Sequence, residues 1–411
     1  MKYTRMFALM VLAGLATSAQ ATNGYFAHGY GMKAKGMAGA ATASSDDAFG
    51  GANNPGSMAF AGNRLDLGVD LFSPRREASR SGSFGLNGSA DSKSNYFLIP
   101  EVGYNHMVNP NLALGVTVYG NGGMNTNYRG GQINCGFGPA NLLCGSGNLG
   151  VDLVQLIVAP TAAFKVAPNH SIGVSPLLGY QRFKAEGLQA FGVANASGGN
   201  LGYDDSFGYG LRVGYMGKIT PNVSIGAAYA SKMKFDEFGK YARLFAEQGG
   251  FDIPSNYNVG VAWQVAPAFK LAMDYQRINF SSVNSVGNAA NSPGAFGADN
   301  GPGFGWEDVK VWKLGMEYKY SPQMTFRAGV SRANSPIEGS EVTINILAPA
   351  VIENHATLGF THTMASGNEL SVAYMHAFKN DVEGPSSLGA GGTDKIKMYQ
   401  NSLGIQYSWK M

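Results

Sequence analysis

Charge and sulfur are scarce in this chain of 411 residues: Asp, Glu, Lys and Arg together make up 14%, and there are two cysteines. Charge at about half its usual share is poor cover for a water-facing surface. No run of 18 or more apolar residues occurs, so no helix of this chain crosses a bilayer. The mean hydropathy of −0.09 likewise excludes a bundle of membrane helices. Proline is ordinary at 17 and no G-x-y period runs through the chain, which removes collagen-like and Pro-rich architectures. The sequence also lacks a G-x-S-x-G elbow, a P-loop, H-E-x-x-H, C-x-x-C and an EF-hand pattern, so no motif supports an enzyme or a metal centre. What is abundant is glycine, with 58 residues, double the usual share.

The first 21 residues read as a signal peptide. Lys2 and Arg5 precede an apolar stretch from Met6 to Ala16, and Ala19-Gln20-Ala21 offers the small residues of a cleavage site. An uncleaved anchor is the alternative. Cleavage before Thr22 leaves 390 residues and removes Lys2 and Arg5, so the formal charge drops from +3 to +1. A nearly neutral mature chain has no electrostatic case for nucleic acid. In an exported protein, Cys135 and Cys144 are expected to form a local disulfide pinning a loop, with free thiols as the alternative.

From about residue 64 onward the sequence alternates with period two. Trp312, Leu314, Met316, Tyr318 and Tyr320 alternate with Lys313, Gly315, Glu317 and Lys319. Leu403, Ile405, Tyr407 and Trp409 alternate with Ser402, Gly404, Gln406 and Ser408. These are strands with one apolar face. A soluble sandwich would alternate too, so loop length has to decide. Six tight turns, at 108–111, 167–169, 220–222, 266–267, 321–322 and 366–368, alternate with seven longer connections near 74–93, 122–150, 187–204, 234–252, 281–307, 334–352 and 380–396. That pattern predicts an all-β fold: a 14-stranded antiparallel transmembrane β-barrel over 64–411, with both termini on the short-turn side. Trp312 and Tyr320 would then lie roughly 20 Å apart along the membrane normal, close to the spacing of two aromatic girdles.

Residues 22–63 do not alternate; they are small, Gly- and Ala-rich, and carry Asp46-Asp47 and Asn54-Pro55. Composition leaves two readings open, a loose periplasmic tail or a compact plug inside the barrel. Gly29-Tyr-Gly31, the run Gly36 to Ala41, Asp46-Asp47-Ala48 and Asn54-Pro55 resemble the FadL/TodX family of outer-membrane transporters for hydrophobic compounds. Two details depart from the family's pattern: Asn54-Pro55 is followed by Gly56 rather than Ala, and the spacing ahead of Asp46 is about two residues longer.

The resemblance implies a 14-stranded barrel with residues 22–63 as an N-terminal hatch, in the outer membrane of a Gram-negative bacterium, without cofactor or metal. It implies passive uptake of long-chain fatty acids or similar molecules, with aromatic hydrocarbons of the toluene type as the alternative cargo. Substrate would touch the mature N-terminus at Asn23, Tyr25 and Phe26, for which plug packing is the competing role. It would leave sideways beside a kinked third strand, matched here by Gly120, Asn121, Gly122 and Gly123, a run that could also be a plain strand end. Asn54 and Pro55 would form a hatch turn near that kink. Lys33 and Lys35 could attract a carboxylate, but a solvated periplasmic position is expected for them.

The expected partners are the hydrophobic cargo, outer-membrane lipid and lipopolysaccharide. The barrel assembly machinery joins them, because Ser402 to Trp409 resembles its C-terminal recognition signal, although Lys410 and Met411 follow the final aromatic. A monomer is expected. A surface adhesin is the rival from another class, but an adhesin gains nothing from a hatch.

Overall fold

The computed structural model describes residues 22–44, 46–129, 133–135, 138–389 and 391–411. Residues 1–21, expected to be a signal peptide, lie outside the described residues. Fourteen long strands close into one antiparallel barrel. They are β1 (Arg64–Ser81), β2 (Phe97–Asn109), β3 (Leu112–Asn125), β4 (Gly150–Ala167), β5 (His170–Glu186), β6 (Asp204–Thr220) and β7 (Val223–Ala230). The circle continues with β8 (Asn256–Ala266), β9 (Phe269–Ile278), β10 (Val309–Lys319), β11 (Met324–Ala333), β12 (Asn354–Thr363), β13 (Glu369–Pro385) and β14 (Thr393–Lys410). Each strand pairs with its sequence neighbour over at least part of its length and β14 pairs with β1, so the sheet closes on itself. Closure is what lets a sheet sit in hydrocarbon, where an unpaired N–H or C=O has no water to turn to.

The alternation is inverted relative to a soluble protein. In β10 the outward residues are Trp312, Leu314, Met316 and Tyr318, all exposed, whereas Lys313 and Glu317 point into the buried lumen. The inner turns are short: Asn109 caps the β2–β3 turn by accepting from the backbone of Asn111 and Leu112 through its side chain. Gly367, at φ 85°, closes the β12–β13 turn, a backbone region costly for residues with a Cβ.

Three strands run further than their periodicity suggests. β1 continues to Ser81, and β13 and β14 continue to Pro385 and Thr393, so the last outer connection spans only 386–392. Above the apolar band the outward face turns polar, with Arg75, Glu77, Lys395 and Lys397, while Ala78, Ile396 and Met398 are buried on the inward face, so the apolar-out alternation ends and the stretch reads as loop in sequence. The ladder persists because charges pair across it, Lys397 with Glu77 at 2.9 Å and Lys395 with Asp381 at 2.6 Å.

Residues 22–63 lie inside the barrel and are almost wholly buried. A short helix, α1 (Met32–Gly36), is followed by a loop and by a 3₁₀ turn over Pro55–Phe60. The wall holds this segment by polar contacts from many sides. Lys35 is paired with Asp70 of β1 (3.0 Å) and Glu101 of β2 (2.7 Å), and Lys33 with Glu369 of β13 (2.8 Å). Asp274 of β9 accepts from the backbone N–H groups of Ala41 and Thr42 and from the Thr42 hydroxyl. The expectation of solvated Lys33 and Lys35 is therefore corrected. Both are buried, because inward positions of the wall strands present carboxylates at their height.

Candidate functional site

β3 is the irregular strand of the barrel. Its pairing with β4 shifts register between Gly120 and Gly122, leaving Asn121 as a bulge. Its pairing with β2 stops at Val102 and Val118. Beyond that point Phe97 to Glu101 of β2 remain paired with β1, and Tyr119 to Asn125 of β3 remain paired with β4. The two stretches are not paired with each other. Pro100, which has no N–H to leave unpaired, lies in this interval. Contact resumes above it, where Ser92 bridges Tyr128 and the Lys93 N–H donates to the Asn127 carbonyl at 2.8 Å. The wall thus contains a bounded window between β2 and β3.

Residues 23–27 fill the inner side of this window. Asn23 and Phe26 exchange backbone hydrogen bonds, Phe26 bridges Gly122, and the Ala27 N–H donates to the Asn121 carbonyl at 3.2 Å. A Cβ at Gly122 would stand 1.6 Å from the Tyr25 carbonyl oxygen, so only glycine permits this approach. Around Tyr25 and Phe26 the outer connections supply rings. Phe280 lies 5.0 Å from Tyr25 edge-on, Trp306 lies 5.8 Å away, and Phe251 lies 6.2 Å away. Tyr30 packs on Tyr119 at 4.5 Å on the same flank.

Polar groups in this region are mostly neutral and linked in series. Asn121 donates to Gln155 and Gln155 to Gln181 (3.1 Å each), and Gln181 donates to the Phe251 carbonyl at 2.8 Å. The buried Asn23 side-chain amide has no hydrogen-bond partner among the described residues. Arg212 of β6 is 4% exposed. Its guanidinium donates to the Gly51 carbonyl at 3.3 Å and has no carboxylate partner among the described residues. Burial first, and then the neighbouring Asp252, push the Tyr25 phenol well above its usual range. Burial and the nearby His355, Lys35 and Lys313 hold His28 well below its ordinary value, keeping it neutral.

The structure brings Asn23, Tyr25 and Phe26 together with Gly120, Asn121, Gly122 and Gly123. Asn54 and Pro55 are elsewhere, which corrects their expected place near the kink. Asn54 donates to the carbonyls of Thr42 and Tyr215, and Pro55-Gly56 packs on Gly173 of β5 and Gly214 of β6. Glycines on those two strands leave the room such a turn needs. Cys135 and Cys144 form a disulfide with Cα atoms 5.7 Å apart, in the outer connection after β3. Periodicity could not reveal Phe251, Phe280, Trp306 or Arg212 as neighbours of the N-terminus. The one available signal was bulky aromatics in otherwise small, polar outer connections.

Comparison with known proteins agrees with this geometry. A family model described as outer membrane protein transport protein (OMPP1/FadL/TodX) matches residues 11–387. No curated protein matches the sequence. The fold is similar to that of the Pseudomonas putida toluene transporter TodX, at a TM-score of 0.70 and 18% identity over 93% of this chain and 99% of that one. It is also similar to a Pseudomonas aeruginosa FadL homologue (0.70, 15%, 94% and 99%). The Ralstonia pickettii toluene transporter TbuX scores 0.66 at 18% identity, over 93% and 99%. At such identities the likeness establishes the fold.

Proposed function

This chain belongs to the OMPP1/FadL/TodX family of outer-membrane transport proteins, and on that premise we propose that its cargo leaves sideways through the window between β2 and β3. The family consists of Gram-negative outer-membrane channels for hydrophobic compounds, not enzymes. The observation that carries the proposal is the interrupted ladder at Glu101 and Tyr119, with the N-terminal residues seated against it. An apolar molecule gains little by entering periplasmic water, whereas transfer into lipid recovers about 0.8 kcal/mol per CH₂. A wall opening is energetically the better exit. Tyr25 and Phe26 occupy the inner side and must shift for cargo to pass. Few backbone hydrogen bonds tie them to the bulge.

For the cargo, long-chain fatty acids or similar amphiphiles are the leading reading. Among the described residues Arg212 is a buried cation with no carboxylate partner and the Asn23 amide has no hydrogen-bond partner; each suits a polar head beside an apolar pocket. The ring cluster of Phe251, Phe280 and Trp306 favours aromatic hydrocarbons as the second reading. Uptake of a labelled long-chain fatty acid and of toluene by cells producing wild type or Arg212→Gln separates the two. Selective loss of fatty-acid uptake supports the first reading. Equal effects on both cargoes remove the head-group role of Arg212.

A further inference from the structure

We propose that the outer rim of the barrel at β1, β13 and β14 holds a phosphorylated glycolipid head group of the outer leaflet. The site is a cleft of about 290 Å³ lined by Arg75, Arg76, Lys93, Lys379 and Lys397 against only Glu77 and Asp91. It lies on the wall beside the window and is independent of which cargo the channel carries.

Its height follows from the strand geometry. Leu65 pairs with Trp409 at the inner end of the apolar band, and Arg75 pairs with Tyr399 ten residues further along β1. At about 3.3 Å per residue and a tilt near 40°, that interval spans roughly 25 Å along the normal, the full height of the lipid-facing band. Of the outward residues between these pairs, Leu67, Val69, Leu71, Leu403 and Ile405 are apolar and exposed, and the polar pair Ser73 and Asn401 follows just below Arg75 and Tyr399. Tyr96, Phe378 and Tyr399 are exposed aromatics at the upper boundary. The cations therefore stand where hydrocarbon gives way to head groups.

The local charges leave cations to spare. Lys397 is committed to Glu77 at 2.9 Å, and Lys395 neutralises Asp381 and Glu383 at 2.6 and 3.0 Å. Arg75 donates to the Tyr96 hydroxyl at 2.7 Å and lies over its ring. That contact positions the guanidinium without cancelling its charge. Arg76 is 4% exposed and donates to the Asn125 and Ser94 carbonyls and the Ser92 hydroxyl; its Nε has no hydrogen-bond partner among the described residues. The exposed Lys93 and Lys379 side chains have no ion pair or hydrogen bond among the described residues. A compact dianion with several acceptor oxygens matches this arrangement, since arginines fix its orientation and lysines add point charge. A phosphate carried on a lipid also places its acyl chains along the apolar strands below, which a free phosphate does not.

Native mass spectrometry of the purified full-length protein with bisphosphoryl, monophosphoryl and fully dephosphorylated lipid A tests the assignment. Wild type is expected to retain the bisphosphoryl form about tenfold better than the dephosphorylated one. Lys93→Gln/Lys379→Gln should abolish that preference, whereas Lys319→Gln at the opposite mouth should keep it. Millimolar inorganic phosphate should leave retention unchanged. Equal retention of all three lipids, or a preference that survives the double substitution, overturns the proposal. Displacement of the lipid by inorganic phosphate would make this a free-anion site and would also overturn it.

Discussion

Gly122→Val perturbs the contact on which the window depends. The new Cβ would meet the Tyr25 carbonyl oxygen at 1.6 Å and its carbon at 2.7 Å. Both are backbone atoms, so no side-chain rotation relieves the clash. The ladder with Gln155 of β4 holds the strand, so the N-terminal segment must yield. Displacing it forfeits the Phe26–Gly122 bridge and the burial of two rings that are 0% and 2% exposed. Burial is worth about 1.5–3 kcal/mol per large side chain, so about 3–6 kcal/mol of docking energy is at stake. The barrel strands do not depend on that docking. The variant should assemble, reach the surface and keep its heat-dependent gel migration, while uptake of hydrophobic cargo falls. Trp306 reports the cause, because it packs on Tyr25 and its indole donates to Asn345 at 2.6 Å. With lipid-facing Trp263, Trp312 and Trp409 replaced by Phe, acrylamide should quench Trp306 more in Gly122→Val than in its parent. A correctly assembled variant with unchanged uptake and unchanged quenching would refute the reasoning.

Lys35→Met strands Asp70 and Glu101 without their shared cation. Losing one member of such a buried network costs about 3–5 kcal/mol, so limited proteolysis should cut within 22–63 in this variant and spare wild type. Asp47 is pushed up to about 7, first by burial and then by neighbouring Asp66. A carboxyl raised in the folded state stabilises below its unfolded value near 4 and loses that contribution as pH rises through about 7. Protection of the plug amides, from hydrogen–deuterium labelling corrected for the intrinsic base-catalysed rate, should therefore fall between about pH 4 and 7 in wild type and stay level in Asp47→Asn. Reducing Cys135–Cys144 should loosen the connection after β3, by about 2–3 kcal/mol in the chain-entropy model, without changing barrel melting. Two free thiols in unreduced, denatured protein would contradict this.

The barrel was legible because lipid imposes a period-two code on every strand: Trp312, Leu314 and Met316 outside, Lys313, Gly315 and Glu317 inside. Loop segregation supplied the strand count. The outer halves of β1 and β14 were not legible, since Arg75, Glu77, Lys395 and Lys397 put polar residues on the outward face. The bulge was foreshadowed by Gly120, Gly122 and Gly123, because a strand seldom spends three glycines without a reason. The plug's path was hidden. Lys35 meets Asp70 and Glu101 across the lumen, and no local pattern encodes which inward carboxylate faces which plug residue. Asn54-Pro55 was misplaced for the same reason, its partners Gly173 and Gly214 lying more than a hundred residues away in sequence.

The route through the wall is tested most directly by photocrosslinking a diazirine-bearing fatty acid to the protein in outer-membrane vesicles and mapping the adducts by mass spectrometry. Exit through the window predicts labels on Phe97, Ile99, Tyr119 and Met124, which line or face the unpaired interval between β2 and β3. Adducts confined to the hollow at the short-turn mouth, about 540 Å³ and lined by Lys218, Lys270 and Lys319 among others, would show that cargo leaves along the barrel axis and would contradict the lateral route.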